Sequence, residues 1–171
     1  MFSSNIGLVH TFFAVAAVLA GALVVALPKG TMRHKSFGYL YVMAMLLMNG
    51  TALFTQSIYA FGPFHWMAIA SLLVVLFGVS APLFFRANTN WLRIHHDLML
   101  WSYVGLIAAM FSEIAVRVPA VGLVIGGGAL FWTLVIGASI LTFVVGGHLI
   151  GQHRTSYFTK QGRAIRPPVI R

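Results

Sequence analysis

The segment IGLVHTFFAVAAVLAGALVVAL, residues 6–27, decides the fold, because it contains no charged residue and is long enough to cross a bilayer as one helix. A transmembrane helix needs about 20 consecutive residues of predominantly apolar character. The segment stops at Pro28 and leads directly into the basic stretch KGTMRHK, residues 29–35. We therefore predict a membrane-spanning helix that ends at a basic loop.

The remainder of the chain repeats this pattern of apolar segments separated by short polar connections. Transmembrane helices are predicted at about 6–27, 37–59, 64–85, 92–114 and 129–150. Only 8% of the residues are charged, whereas soluble domains have about 25%, so a soluble globule is excluded. The predicted fold is all-α: one polytopic transmembrane domain, residues 1–152, with a four-helix core bundle and a fifth helix beside it, followed by a basic tail, residues 153–171.

Basic residues are distributed unevenly between the two predicted membrane faces. Of the 11 lysines and arginines, all except Arg117 lie in or next to the loop after the first helix, the loop after the third helix, or the tail. The positive-inside rule assigns those regions to the cytoplasm. We therefore expect the N-terminus outside and the C-terminus inside, in the bacterial cytoplasmic (inner) membrane. Because the charges flank membrane segments, they favour anionic lipid at the tail as a partner and argue against nucleic acid.

The 7 histidines lie close to predicted helix ends and form two layers, one at each membrane face. His10 and His65 belong to the outer layer. The inner layer contains His34, His95, His96, His148 and His153. An imidazole close to a bilayer is costly unless it has a partner, and ionisable residues within membrane segments are functional candidates. Bound heme, a metal ion or a proton-handling site would each account for this layout.

A four-helix bundle with alternating directions gives the two layers a common explanation. The first and third helices would be diagonal, so His10 would face His65, and His34 on the second helix would face His95 or His96 on the fourth. Two imidazoles on opposing helices are what axial ligation of a b-type heme requires. The leading hypothesis is therefore a heme b protein that moves electrons within or across the membrane, with quinone as a candidate partner.

Two other functions remain open. His34, His95, His96 and Asp97 could hold zinc or copper at the cytoplasmic face, because neutral imidazoles and a carboxylate suit both metals. Neighbours on a helix point about 100° apart, so only one of His95 and His96 can face a given partner. Alternatively, the histidines are interfacial, and the chain is a non-catalytic accessory or assembly subunit of a membrane complex.

Two polar residues outside the paired histidines also invite a functional interpretation. Glu113 ends the fourth segment and could join His10 and His65 in a proton-linked, quinone-type or metal site, or it could pair with Arg117 one turn on. Asn49 lies near the middle of the second segment and must hydrogen-bond to another helix or to a ligand. We favour an interhelical hydrogen bond for Asn49, because such bonds are common between membrane helices.

Small residues on the first helix, namely Ala14, Ala17 and Gly21, follow helical spacing and could leave room for a flat macrocycle. Close helix packing is the more common use of such a stripe, and we favour it. The chain has no cysteine, which excludes disulfides and thiolate metal sites. With only 2 acidic residues, little remains for hydrolytic acid–base chemistry, and whether the chain is an enzyme stays open.

The stretch PKGTMRHKSFGYLYV, residues 28–42, resembles a family of bacterial integral-membrane proteins of unknown function. The pattern is Lys-Gly-Thr, then a histidine with a basic neighbour, then glycine and an aromatic residue. His10, the run HHDLM at 95–99 and the corner at 117–119 are also similar, so the resemblance extends over most of residues 6–120. It implies that His10, His34, His65 and His95 or His96 are the positions to test.

A looser similarity connects the chain with membrane cytochromes b that contain four helices and two hemes. This similarity rests on the two-layer arrangement of histidines alone. It implies one heme between His10 and His65 and a second between His34 and His95 or His96.

Overall fold

The computed structural model describes residues 5–54, 61–117 and 128–165, and within these ranges the secondary structure is entirely helical. The helices are α1 (Asn5–Ala26), α2 (Met32–Leu53), α3 (Pro63–Phe84), α4 (Trp91–Arg117) and α5 (Gly128–Ile165). In the described ranges, 5 helices are long and apolar enough to cross a membrane. The prediction of an all-α protein with five membrane-spanning helices is therefore confirmed.

The start of α2 differs from the sequence prediction, and the difference moves His34 into the helix. The helix begins at Met32 instead of residue 37 because Thr31 is its N-cap, with Thr31 Oγ1 accepting the His34 N–H at 3.2 Å. Gly30 precedes the cap with a φ of 80°, a conformation that glycine adopts at little cost. The prediction followed the apolar run and therefore missed a first turn that contains Arg33 and Lys35. At its other end α2 ends at Leu53, and residues 55–59 of the predicted second helix lie outside the described residues.

The fifth helix also differs from its predicted range. It begins at Gly128, one residue before the predicted start, but continues to Ile165 instead of ending near residue 150. No proline occurs after the membrane segment until Pro167, so nothing in the sequence forces an earlier stop. The first part of the predicted basic tail, up to Ile165, therefore continues the helix.

The chain divides into two compact units, residues 1–107 and residues 108–171. In the first unit α2 packs against both α1 and α3. Its core cluster contains Ala17, Ala20, Tyr41, Ala44, Met45, Met48, Val75 and Leu106. The alanines come from α1 and α2, and such small side chains let membrane helices approach closely.

Two tyrosine rings fill the space beside the small residues of α1. A Cβ placed on Gly21 would lie 2.5 Å from the Tyr103 ring and 3.0 Å from the Tyr41 ring. The Tyr41 hydroxyl donates to Ser102 Oγ at 2.8 Å, and the Tyr103 hydroxyl donates to the Val18 carbonyl at 3.3 Å. The small-residue stripe thus accommodates protein side chains, which agrees with the preferred interpretation of helix packing.

The second unit contains the last turns of α4 and the helix α5. Ser112 Oγ donates to the Ala108 carbonyl at 2.9 Å and lies 3.3 Å from the Val135 carbonyl and 3.4 Å from Ser139 Oγ. Hydroxyl groups of this kind are common between packed membrane helices. They connect α4 with α5 within this unit.

Candidate functional site

The candidate site residues of the first unit lie at its two ends. We call the end that contains the connections at 27–31 and 85–90 the basic end, and the end where α1 and α3 begin the opposite end. His34 and His95 form the basic-end pair, and His10 and His65 form the opposite-end pair. Whether each ring nitrogen makes a hydrogen bond decides what that imidazole can bind.

His10 is tied to α2 through its Nδ1 atom. This atom lies 3.0 Å from the Met48 carbonyl oxygen and 3.3 Å from Thr51 Oγ1. A carbonyl oxygen can only accept, so Nδ1 carries the proton and donates it to Met48. The neutral ring then keeps its lone pair on Nε2, where it could accept a hydrogen bond or ligate a metal.

His65 has the opposite tautomer. It occupies the third position of α3, is only 5% exposed, and accepts the backbone N–H of Gly62 on Nδ1 at 3.2 Å. The neutral ring must therefore carry its proton on Nε2. That nitrogen is buried and has no hydrogen-bond partner in the described part of the chain. His65 is thus a buried donor without an acceptor, and such a group costs about 1–3 kcal/mol.

Aromatic side chains surround one side of His65. The Phe61 ring stacks on the imidazole with centroids 4.9 Å apart and an interplanar angle of 26°. Trp66 meets Phe61 edge to face at 5.4 Å. Phe61 and Trp66 are both more than half exposed on the apolar surface of the bundle. The buried donor therefore lies beside an aromatic wall that is accessible from the membrane.

At the basic end, His95 is held by α3. Its Nδ1 donates to the Gly78 carbonyl at 2.8 Å, which leaves the lone pair on Nε2. The two helices are close at this point, because a Cβ on Gly78 would lie 2.8 Å from Met99 Sδ and 3.2 Å from Leu98 Cβ. Glycine at position 78 thus lets α4 approach the carbonyl that orients His95.

His34 is half-buried at the start of α2 and completes the basic-end pair. Its ring lies near the Val24 carbonyl of α1 and near His95 and Lys29. Nδ1 is buried and has no partner among the described residues. The structure therefore places His34 of α2 near His95 of α4, and His95 keeps a lone pair on Nε2.

Lys29 contributes a positive charge beside His34. Its Nζ donates to the carbonyls of Val24, Val25 and Leu27 at 2.8, 2.7 and 3.3 Å. A cation at a helix C-terminus satisfies free carbonyls and interacts favourably with the helix dipole. Burial lowers the pKa of Lys29 below its ordinary value of 10.5.

His96 and Asp97 form a separate contact next to the basic-end pair. The buried His96 donates from Nδ1 to Asp97 Oδ1 at 3.0 Å, while His95 bonds to α3. The adjacent histidines thus have different partners, as helical geometry requires. Within the described residues, no three histidine, aspartate or glutamate side chains come close enough to hold a metal ion. The metal site at His34, His95, His96 and Asp97 stays a prediction.

Asn49 is buried and makes the interhelical bond that we favoured. Its Nδ2 donates to the Met45 carbonyl at 2.9 Å and to Ser71 Oγ on α3 at 3.2 Å. Glu113 lies in the second unit with its side chain exposed. Its predicted ion pair with Arg117 involves a side chain outside the described residues.

The two remaining histidines lie on α5. His148 is exposed, and its Nε2 lies 2.9 Å from Gln152 Nε2. The side chain of His153 is outside the described residues.

Sequence analysis missed the residues that decide the ring tautomers. The partners are mostly backbone groups, at Met48, Gly62 and Gly78. A backbone carbonyl carries no residue-type information, so no motif could have indicated it. Lys29 was visible as a basic residue directly after Pro28, a position from which it can cap α1.

Comparison with known proteins identifies a family for this chain. No curated protein and no solved structure is similar enough to the chain to count as a match. The family model described as "Predicted membrane protein (DUF2306)" matches residues 7–150, a range that includes both pairs of histidines. The chain therefore belongs to the DUF2306 family of predicted membrane proteins.

Proposed function

We propose that this multi-pass membrane protein is a b-type heme protein that moves electrons, and that the basic-end pair holds the heme. The observation that carries the proposal is one ring nitrogen in each member of the pair. His34 has a buried Nδ1 without a partner among the described residues, and His95 keeps a lone pair on Nε2. With the His34 proton on Nε2, both imidazoles have a lone pair, and such a pair on α2 and α4 fits the donor set of a b-type heme.

The opposite-end pair does not fit the same role. His10 has a lone pair on Nε2, but the buried nitrogen of His65 carries a proton because its Nδ1 accepts from Gly62. A protonated nitrogen has no lone pair to give to iron. The proposal therefore assigns one heme per chain to the basic end, in place of the two that the similarity to membrane cytochromes b implied.

The residues around the basic-end pair have definable roles in binding. The carbonyl of Gly78 fixes the tautomer and orientation of His95, as the outer partners of ligating histidines do. Heme, when bound, supplies a one-electron iron couple. The Lys29 ammonium nearby favours the state with the additional electron and so raises the reduction potential.

The excess of basic residues at this end supports a cytoplasmic location for it. The proposed heme would then lie at the inner face of a bacterial cytoplasmic membrane, where it could exchange electrons with cytoplasmic or membrane-bound donors. Anionic lipid is the partner that the positive charges of this end favour.

A reduced-minus-oxidised absorption spectrum of the full-length protein tests the proposal. The protein is produced in cells supplied with a heme precursor, purified in mild detergent and assayed by pyridine hemochrome. We expect one heme per chain, and we expect His34→Gln and His95→Gln to lose most of it. His148→Gln, an exposed histidine in the second unit, should retain the full content.

The variants must be shown to be folded before their heme content is compared. Size-exclusion profiles and helical circular dichroism provide that check. A colourless wild-type protein, or full heme content in both His34→Gln and His95→Gln, would overturn the proposal. A colourless protein that co-purifies with a larger membrane complex would identify an accessory subunit instead.

A further inference from the structure

We infer that the opposite end of the first unit binds the head group of a quinone, with His65 Nε2–H donating a hydrogen bond to one of the quinone carbonyl oxygens. This inference rests on the proposed function, since an electron carrier in a membrane needs a lipid-soluble partner. It concerns the end of the unit that is not assigned to heme.

The first step in the argument is the chemistry of His65. Its Nδ1 is occupied by the Gly62 N–H, and its Nε2–H is buried without an acceptor in the described part of the chain. Leaving this donor unpaired is costly, whereas a ligand carbonyl would satisfy it. A ligand that pairs with this N–H must supply a hydrogen-bond acceptor. A metal ion cannot bind there, because the protonated nitrogen has no lone pair.

The second step concerns the shape and polarity of the ligand. Phe61 stacks on His65, and Trp66 meets Phe61 edge to face, so the donor lies beside aromatic rings. Phe61, in the bend before α3, is 55% exposed, and Trp66, on the first turn of the membrane helix α3, is 64% exposed. A lipophilic ligand can reach this wall from the bilayer, and a flat ring can pack against it. A quinone is a lipophilic planar molecule with carbonyl acceptors and meets these requirements.

Binding of a short-chain ubiquinone analogue, decylubiquinone, to the full chain in phosphatidylcholine nanodiscs tests the inference. Quenching of tryptophan fluorescence reports binding, because Trp66 is part of the proposed wall. We expect saturable quenching, and we expect His65→Phe to weaken the affinity by about tenfold through loss of one buried hydrogen bond. Trp66→Phe should remove most of the quenching while calorimetry still detects binding.

Further variants keep the test independent of folding defects. Phe61→Leu retains His65 but removes the stacking ring, and it should also weaken binding. His65→Gln can still donate and should bind more tightly than His65→Phe. His148→Gln should bind as the wild type does. Unchanged affinity in both His65→Phe and Phe61→Leu, or no saturable binding to the wild type, would overturn the inference.

Two controls distinguish quinone binding from heme binding and from the binding of a phospholipid. His34→Gln should lose heme and keep its quinone affinity, so a colourless protein that binds decylubiquinone refutes only the heme proposal. An ester carbonyl of a phospholipid shares the acceptor chemistry. If the wild type binds no analogue but loses thermal stability when ester-linked lipid is replaced by ether-linked lipid, a lipid carbonyl is the occupant and the quinone assignment is wrong.

Discussion

His95 on α4 donates its Nδ1 proton to the carbonyl of Gly78 on α3 at 2.8 Å, at the point where the two helices approach most tightly around a glycine. The same contact therefore brings two helices together and decides which nitrogen of His95 is free. His10 makes an equivalent hydrogen bond at the other end of the unit, with the Met48 carbonyl as acceptor. In each case one hydrogen bond connects two helices and fixes which ring nitrogen carries the proton.

Replacing Lys29 by methionine removes the positive charge next to His34 and the donor to three carbonyls of α1. We expect the midpoint potential of the heme to fall, because a nearby cation favours the reduced state. Loss of the helix-terminus interaction should also lower the free energy of unfolding by about 0.3–1 kcal/mol. Redox titration and thermal unfolding check these results, with the exposed Lys35→Met as the matched control.

The pH dependence of the same residue gives a second test. Burial lowers the pKa of Lys29 below 10.5, so the folded protein releases this proton at a lower pH than the unfolded chain. Between those two values the unfolded state binds more protons, and the contribution of Lys29 to the free energy of unfolding therefore rises with pH. We expect the potential of the wild type to fall towards that of Lys29→Met in the same alkaline range. A wild-type potential that stays constant up to pH 10.5 would contradict this.

Substitution of Gly21 by alanine should destabilise the first unit. The new Cβ would lie 2.5 Å from the Tyr103 ring, and a rigid aromatic ring cannot yield without moving α4. We expect a loss of about 1–3 kcal/mol in the free energy of unfolding, as for other overpacked cores. Gly38→Ala on α2 meets nothing within 4 Å and should be neutral or stabilising by up to about 1 kcal/mol. Equal melting temperatures for the two variants would show that Gly21 is not closely packed.

The hydrogen bond between Asn49 and Ser71 should be measurable as a coupling between α2 and α3. In a double-mutant cycle with Asn49→Ala and Ser71→Ala, we expect a coupling energy of about 0.6 kcal/mol, the average for polar pairs in membrane proteins. Ser80→Ala is the control, since Ser80 Oγ donates to Phe77 of its own helix, and its effect should add to that of Asn49→Ala. Strict additivity in the Asn49–Ser71 cycle would contradict a direct bond.

The predicted orientation can be tested with single introduced cysteines, because the chain has no cysteine of its own that a thiol reagent would label. A cysteine at the exposed position Asn88, in the connection between α3 and α4, should react with a membrane-impermeant thiol reagent only after the cells are opened. A cysteine at the exposed position Pro63 should react in intact cells. The reverse pattern would place the basic end outside and contradict the positive-inside rule for this chain.

The membrane helices could be predicted because the free energy of insertion depends on the composition of a segment and hardly on tertiary contacts. The start of α2 could not be placed by the same criterion, since Thr31 caps the helix before its basic first turn. The approximate pairing of His34 with His95 followed from bundle topology. Their tautomers did not, because these depend on which carbonyl each ring meets after folding. The stacking of Phe61 on His65 is likewise a tertiary contact that no sequence period indicates.

The hydroxyl contacts in the middle of the first unit have a consequence for charge movement. Tyr41 donates to Ser102, which donates to the Met99 carbonyl, and Tyr103 donates to the Val18 carbonyl. A backbone carbonyl accepts a hydrogen bond but has no proton to donate, so each of these short hydrogen-bond chains ends at its carbonyl. Neither of these two chains therefore offers a route for a proton across the centre of the unit.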